Sequence, residues 1–295
     1  MKTAELIDGG AGFVSAVPAL PDLQDCTAPL WSRVWEFGIA RNLRVVAARL
    51  RAQADRVLHR LTGRMSSPVS PAYGVQLTPN FGDKTFRYCR YGTYGHRLAD
   101  YLAGQQRPFG FVDVGANQGL FSLIAARNPR CEAITAFEPV PSTFAYLEAN
   151  VVLNGAQDRL RIVQAAIGEE TGKCAIAVKA GHSGVSSMAR ADLRDHNATQ
   201  QIAVLDGRAA AATIPAELRL IVKIDVEGHE ETVIAQLLAS ACAPRIAAIF
   251  YEMDERWADA PAVRAMLERA GFDRFTRFGI GRHADILAER RAAMG

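Results

Sequence analysis

Past residue 75, apolar runs at 109–114, 132–137, 160–166, 218–224 and 245–251 alternate with segments whose apolar residues recur every three or four positions. Strand and helix taking turns in this way predicts βαβ units: an α/β fold with a mostly parallel sheet covered on both faces. The helix after the first run is predicted to stop at Asn128-Pro129, since proline cannot continue it. The next is predicted from Pro141-Ser142 to Asn154-Gly155, with Phe144, Leu147 and Val151 on one face. Near the C-terminus a helix over 262–270 precedes two strand-like pieces, 272–280 and 284–288, parted by Gly281-Arg282-His283. So short a connection predicts an antiparallel final pair.

Ahead of this alternation the pattern differs. Residues 1–30 carry Gly9, Gly10, Gly12, Pro18, Pro21 and Pro29 and read as a lead-in. From about Trp31 to Leu61 the positions Ile39, Leu43, Val46, Leu50, Val57 and Leu61 mark one face of a helix. Its other faces carry Arg41, Arg44, Arg49, Arg51, Arg56 and Arg60. Such a helix can lie on acidic lipid or bind a partner; packing on the main domain with a solvated arginine face is the preferred expectation. Ser66 to Pro71 reads as a linker. The expected division is an N-terminal extension, residues 1–75, and a domain, residues 76–295.

Composition narrows the class. Of 295 residues, 49% are hydrophobic and 22% charged, which suits a soluble globular protein. A net charge of +3 is too small to point to nucleic acid or a membrane. Cys26, Cys89, Cys131, Cys174 and Cys242 are scattered without paired spacing. They are expected to be reduced thiols rather than a disulfide framework or a zinc site, and no metal is expected. Glu5 and Asp8 stand where a secretion signal would be basic, and no run approaches the roughly 20 apolar residues of a membrane span. The expectation is a cytoplasmic protein.

Candidate chemistry starts at "FVDVGANQGLFS", residues 111–122, a strand, a glycine turn and the opening of a helix. A dinucleotide fold would use G-x-G-x-x-G and set a pyrophosphate on the helix N-terminus. Here Gly115 and Gly119 are four apart, Asn117 lies between them, and Asp113 precedes the first glycine by two. An acid there would repel a pyrophosphate. It suits the ammonium and sulfonium of S-adenosylmethionine, with Gly119 leaving room for that end of the ligand. Asn117 is a cofactor contact or a cap for the following helix. Glu138, leaving the second strand, is placed to accept from ribose hydroxyls in either cofactor class.

These stretches, with "AFEPVPSTFAYLEANVVLN", "AAIGEETG", "SGVSS", "VLDG", "LIVKIDVEGHEETVI" and "IAAIFYEMDE", resemble the FkbM family of S-adenosylmethionine-dependent methyltransferases. The likeness runs from about Tyr91 to Arg290, in the family's order. It implies a Rossmann-like class I methyltransferase sheet of seven strands with an antiparallel final strand. It also implies S-adenosyl-L-methionine as cofactor and transfer of a methyl group to a hydroxyl of a small molecule or glycan.

"KIDVEGHE", residues 223–230, is the second constellation. Leu220, Val222 and Ile224 should face one side and Lys223 and Asp225 the other, and ligands in open α/β sheets bind beyond the carboxyl ends of strands. Asp225 should therefore reach the cleft. Asp225 and His229 are the candidate bases for the acceptor hydroxyl, with Glu227 beside them. The resemblance carries over Asp225, Glu227 and Glu230 but does not require histidine at 229. Glu230 reads as a first-turn acid that complements the helix N-terminus. Glu252, His182 with the loop 183–187, and Tyr91 and Tyr94 are each open between a site and a structural role. A nicotinamide-dependent oxidoreductase and a catalytically silent binding protein on the same sheet are the alternatives.

Overall fold

The computed structural model describes residues 73–92, 95–178, 183, 198–279 and 281–291, with Leu50 and Ala54. The chain divides into two compact units, Met1–Leu43 and Arg44–Gly295, and all described residues belong to the second. The predicted basic helix and linker lie outside the described residues, apart from Leu50 and Ala54, both helical. Tyr94, His182 and residues 184–187 also lie outside them.

Helices α1 (Lys84–Tyr91) and α2 (His96–Ala103) lead into β1 (Phe109–Val114), α3 (Leu120–Arg127), β2 (Cys131–Phe137), α4 (Pro141–Leu153) and β3 (Leu160–Val163). There follow β4 (Ala166–Ile167), β5 (Gly172–Val178), β6 (Ala198–Leu205) and α5 (Gly207–Ala211). The chain closes with β7 (Leu220–Ile224), α6 (Glu230–Leu238), β8 (Ile246–Asp254), α7 (Ala260–Arg269), β9 (Arg274–Phe278) and β10 (His283–Glu289). Seven strands form one sheet in the order β3-β2-β1-β7-β8-β10-β9. The first five are parallel, and β10 runs antiparallel to both β8 and β9. This is the Rossmann-like α/β architecture with a reversed final strand.

β1 and β7 are buried at every position, which is why they read as near-continuous apolar runs. Their alternating side chains feed two cores. Phe109 and Phe111 pack with Leu98, Phe121, Ile134 and Leu147 on one face. Val112 and Val114 pack with Val222, Ile224, Val233 and Leu267 on the other. The predicted strand 160–166 is shorter than expected, because the chain leaves the main sheet after Val163. Ala166 and Ile167 instead join β6 and β5 in a separate three-stranded sheet, order β4-β6-β5, that the pattern did not announce. Only the later part of β5 is buried, Ile176 and Ala177 among its residues. Cys89, Cys131, Cys174 and Cys242 are free thiols. Among the described residues no helix is long and apolar enough to cross a membrane.

The glycine turn after β1 is pinned on both sides. The N–H groups of Gly115 and Ala116 both donate to Phe137 O, and Asp225 N donates to Val114 O. Gly115 has φ +76, and a Cβ there would sit 1.9 Å from the carbonyl oxygen of Asp225. Gly155 shares the left-handed backbone, φ +61, but faces open space. Left-handed backbone costs an L-residue about 1–2 kcal/mol, so Gly155→Ala should lose about that much in urea unfolding. Gly115→Ala adds a collision with backbone and should lose clearly more. Equal losses would show that the β1–β7 approach is not tight.

Candidate active site

A cleft of about 300 Å³ opens beyond the carboxyl ends of β2, β1, β7 and β8. Toward β3 it is walled by Phe137, Val140, Ala165, Ala166, Ile167 and Ile176. Toward β8 it is walled by Lys223, Asp225, Glu227, Glu252 and His283. Thr85, Tyr88 and Cys89 of α1 close another side. The cleft is thus apolar at one end and charged at the other.

Gly115, Asn117 and Glu138 line it together. Glu138 is buried; its Oε2 accepts from Asn117 N at 2.9 Å and its Oε1 from Val140 N at 3.0 Å. Burial pushes its carboxyl up to about 7, while those two N–H donors and Lys223 work against the rise. Asn117 takes φ +52 and does not cap the helix. The N-cap of α3 is Gly119, and Asn117 Oδ1 accepts from Gln118 N at 2.9 Å. Gly119 has a packing reason rather than the ligand-clearance reason expected of it: at φ +88, its Cβ would sit 2.6 Å from Leu147 Cδ1.

Asp113 does not face the cleft. It is fully buried and accepts from Ser122 N at 3.1 Å and Ser122 Oγ at 2.7 Å. Its register partner on β7 is Lys223, and Lys223 Nζ lies 3.3 Å from Asp113 Oδ1. The same ammonium donates to Gly115 O at 2.6 Å and stands 3.7 Å from Asp225 Oδ2. Burial alone would lower the lysine's pKa, yet Asp113, then Asp225, raise it above the ordinary value. Lys223 is therefore a charged ammonium joining β1, the glycine turn and Asp225.

The turn after β7 has its own clamp. Glu227 and Gly228 take φ +56 and +98. Glu230 Oε1 accepts from Val226 N at 3.1 Å, and its Oε2 from Gly228 N at 3.0 Å. Glu230 is buried and so does more than complement a helix end: it folds the turn that presents Asp225 and Glu227. Asp225, Glu227 and Glu252 each offer an oxygen within 4.8 Å of the others, close enough to surround a cation. His283 Nε2 lies 3.1 Å from Glu252 Oε1. Burial, with Asp225, Glu227, Asp285 and Glu230 around it, pushes the Glu252 carboxyl up to about 10.

His229 is not among the cleft residues. It lines a separate cavity of about 280 Å³ with Glu169, Glu231, Gln236 and Trp257, and burial lowers its pKa. Sequence reasoning passed over Lys223, His283 and the α1 wall. Thr85, Tyr88 and Cys89 fall at the three- and four-residue spacing that marks one helix face, a signal that could have found them.

Removing one partner of a buried ion pair costs about 3–5 kcal/mol. Asp113→Asn should therefore lower unfolding free energy by about 3 kcal/mol, since Lys223 keeps Asp225. Unchanged stability with weaker nucleoside binding would return Asp113 to the role of a direct ligand contact.

Residues 113–274, more than half of the chain, match the Methyltransferase FkbM domain. A curated relative, "Methyltransferase sdnD" of Sordaria araneosa, is 40% identical over 65 residues; the match covers 22% of this chain and 25% of the relative, so it spans only a quarter of that protein. Among solved structures, precorrin-6y C5,15-methyltransferase from Geobacter metallireducens aligns with TM-score 0.37 and 13% identity, over 66% of this chain and 87% of its own. TYW2 of P. horikoshii, solved in complex with MeSAdo, aligns with TM-score 0.41 and 13% identity, over 73% of this chain and 67% of its own. The match across 113–274, carried on a parallel sheet with a reversed last strand, places this chain in the FkbM methyltransferase family.

Proposed function

We propose that the protein is an S-adenosylmethionine-dependent O-methyltransferase acting on a hydroxyl of a small molecule or glycan. The observation that carries the reading is the polarity of the cleft: an apolar slot beside a buried acid, Glu138, and a carboxylate group at the other end. An adenosine needs the slot and a hydroxyl acceptor for its ribose. Gln118 lines the cleft, and its buried Oε1 has no hydrogen-bond partner among the described residues, so a ligand donor can satisfy it. Glu138, Asn117, Gly115 and Gln118 would hold the methyl donor, which supplies an electrophilic methyl group.

The remaining chemistry belongs to the protein. Methyl transfer to a hydroxyl leaves a proton to be taken up, and a positioned base is typically worth 10² to 10⁴ in rate, to order of magnitude. Burial and the surrounding carboxylates raise the Glu252 carboxyl, which disfavours it as the acceptor of that proton. Asp225, beside the Lys223 ammonium, is the candidate acceptor of that proton. Glu227, fixed by the Glu230 clamp, orients the hydroxyl. His229, outside the cleft, takes no part.

The first test is binding. At about 100 times its dissociation constant, S-adenosylhomocysteine should stabilise the fold by about 2.7 kcal/mol, seen as a raised Tm, while NAD should not. A shift with NAD alone would reverse the assignment. With methyl-labelled donor and a panel of sugar and polyketide-type alcohols, label should appear in a base-stable ether. Asp225→Asn should then lose roughly 10² to 10⁴ in kcat, and His229→Ala should stay near wild type. A dead His229→Ala with an active Asp225→Asn would exchange their roles.

The second test is pH. The Glu138 carboxyl is raised in the fold, so between about 4.5 and 7 the folded chain keeps a proton that the unfolded chain has lost. Its contribution to stability therefore falls as pH rises through that window. Ribose hydroxyls donate to the ionised form, so homocysteine-nucleoside affinity should tighten about tenfold from pH 6 to pH 8. Glu138→Gln should give weaker, flat binding. A flat wild-type profile would remove Glu138 from the ribose.

A further inference from the structure

Three stretches far apart in the chain meet at one buried carboxylate, Asp83, which lies outside the segment matched to the family. Its Oδ1 accepts from Phe86 N at 2.7 Å, the N-cap bond of α1. That bond accounts for an Asp at a helix start, and Asn would serve as well. Three more contacts go beyond the cap. Gln118 Nε2 donates to Oδ1 at 3.2 Å, Ser183 N to Oδ2 at 2.6 Å, and Ser183 Oγ lies 3.1 Å from Oδ1. Ser183 Oγ is also 3.0 Å from Asn117 Oδ1, and its single proton serves one of the two. Asn117 N in turn donates to Glu138.

Gln118, Ser183 and Asn117 all line the cleft, whereas Asp83 does not. We infer that Asp83 is a positioning residue for the methyl-donor end of the cleft, tying Ser183 to its wall and setting the Asn117-Gln118 turn against Glu138. The inference rests on the S-adenosyl reading above. Its physical basis is acceptor count. A carboxylate has two oxygens, enough for the cap, the Gln118 amide and both Ser183 donors. An asparagine has one oxygen, and with that oxygen on the cap it turns an N–H toward the Ser183 N–H.

The test is calorimetric titration of S-adenosylhomocysteine into wild type, Asp83→Asn, Ser183→Ala and the double variant, with a melting curve for each. Asp83→Asn keeps the cap, so its Tm should stay close to wild type while affinity falls about tenfold or more. Ser183→Ala should weaken binding in the same direction. The double variant should lose less than the sum of the two single losses, because Asp83→Asn removes the Ser183 N–H contact, Ser183→Ala removes the Ser183 Oγ contact, and both contacts hold the same residue to the cleft wall. Affinity in Asp83→Asn within twofold of wild type would overturn the inference, as would additive losses in the double variant. Should Asp83→Asn lose stability as well, Ser183→Ala decides, since it leaves the cap intact: unchanged affinity there also overturns it. Wild-type protein that binds no homocysteine nucleoside refutes the cofactor reading instead, and so separates the two failures.

Discussion

A lysine ammonium inside a protein is tolerated only where carboxylates and carbonyls replace its water, and Lys223 meets that condition at the point where β1 ends. Asp113 from β1, Asp225 from the end of β7 and the carbonyl of Gly115 converge on it. Each is set by strand register: Asp113 and Lys223 are direct partners across the parallel pair. A slip of β7 by one residue would turn Lys223 into the opposite core and leave Asp113 without its cation. The pair thus fixes β1 against β7, and with them the place where the glycine turn leaves the sheet.

The cleft follows from that placement. The turn hangs from Phe137 O on one side and presses on the carbonyl of Asp225 on the other. Its Asn117 N–H is delivered to Glu138. Glu230 performs the matching task after β7, folding residues 226–228 so that two carboxylates face the cleft. The acids that surround the site have different surroundings. Asp225 sits beside an ammonium, whereas Glu252 is half-buried among like charges that raise its carboxyl. One edge of the sheet thereby offers a buried acid near the slot and the Lys223–Asp225 pair at the other end.

Much of this was legible in the sequence. Parallel strands buried on both faces announce themselves as apolar runs, and proline or asparagine-glycine signals ended α3 and α4 within a residue of the observed boundaries. Asp113, Glu138 and Asp225 stood out as acids at strand ends. What the sequence could not convey was partnership. Asp113 looked like a ligand for a cation from outside, and its cation is Lys223, 110 residues further on and invisible to local spacing. Gly119 looked like clearance for a ligand and is clearance for Leu147. The small sheet β4-β6-β5 escaped because its strands are short or only partly buried and carry little hydrophobic alternation. His229 lines a different cavity for a geometric reason: the chain turns at 226–228 before α6 begins, and His229 is the N-cap of that helix rather than one helical turn into it.

The central claim is that the slot, Glu138 and the Lys223-centred edge form one binding surface for an S-adenosyl ligand. Crystals grown with S-adenosylhomocysteine test it most directly. The account predicts density in the 300 Å³ cleft, with ribose hydroxyls on Glu138, the base in the slot lined by Ala166 and Ile167, and the thioether toward Asp225. Ligand in the cavity beside His229 and Trp257, or a ribose turned away from Glu138, would contradict it.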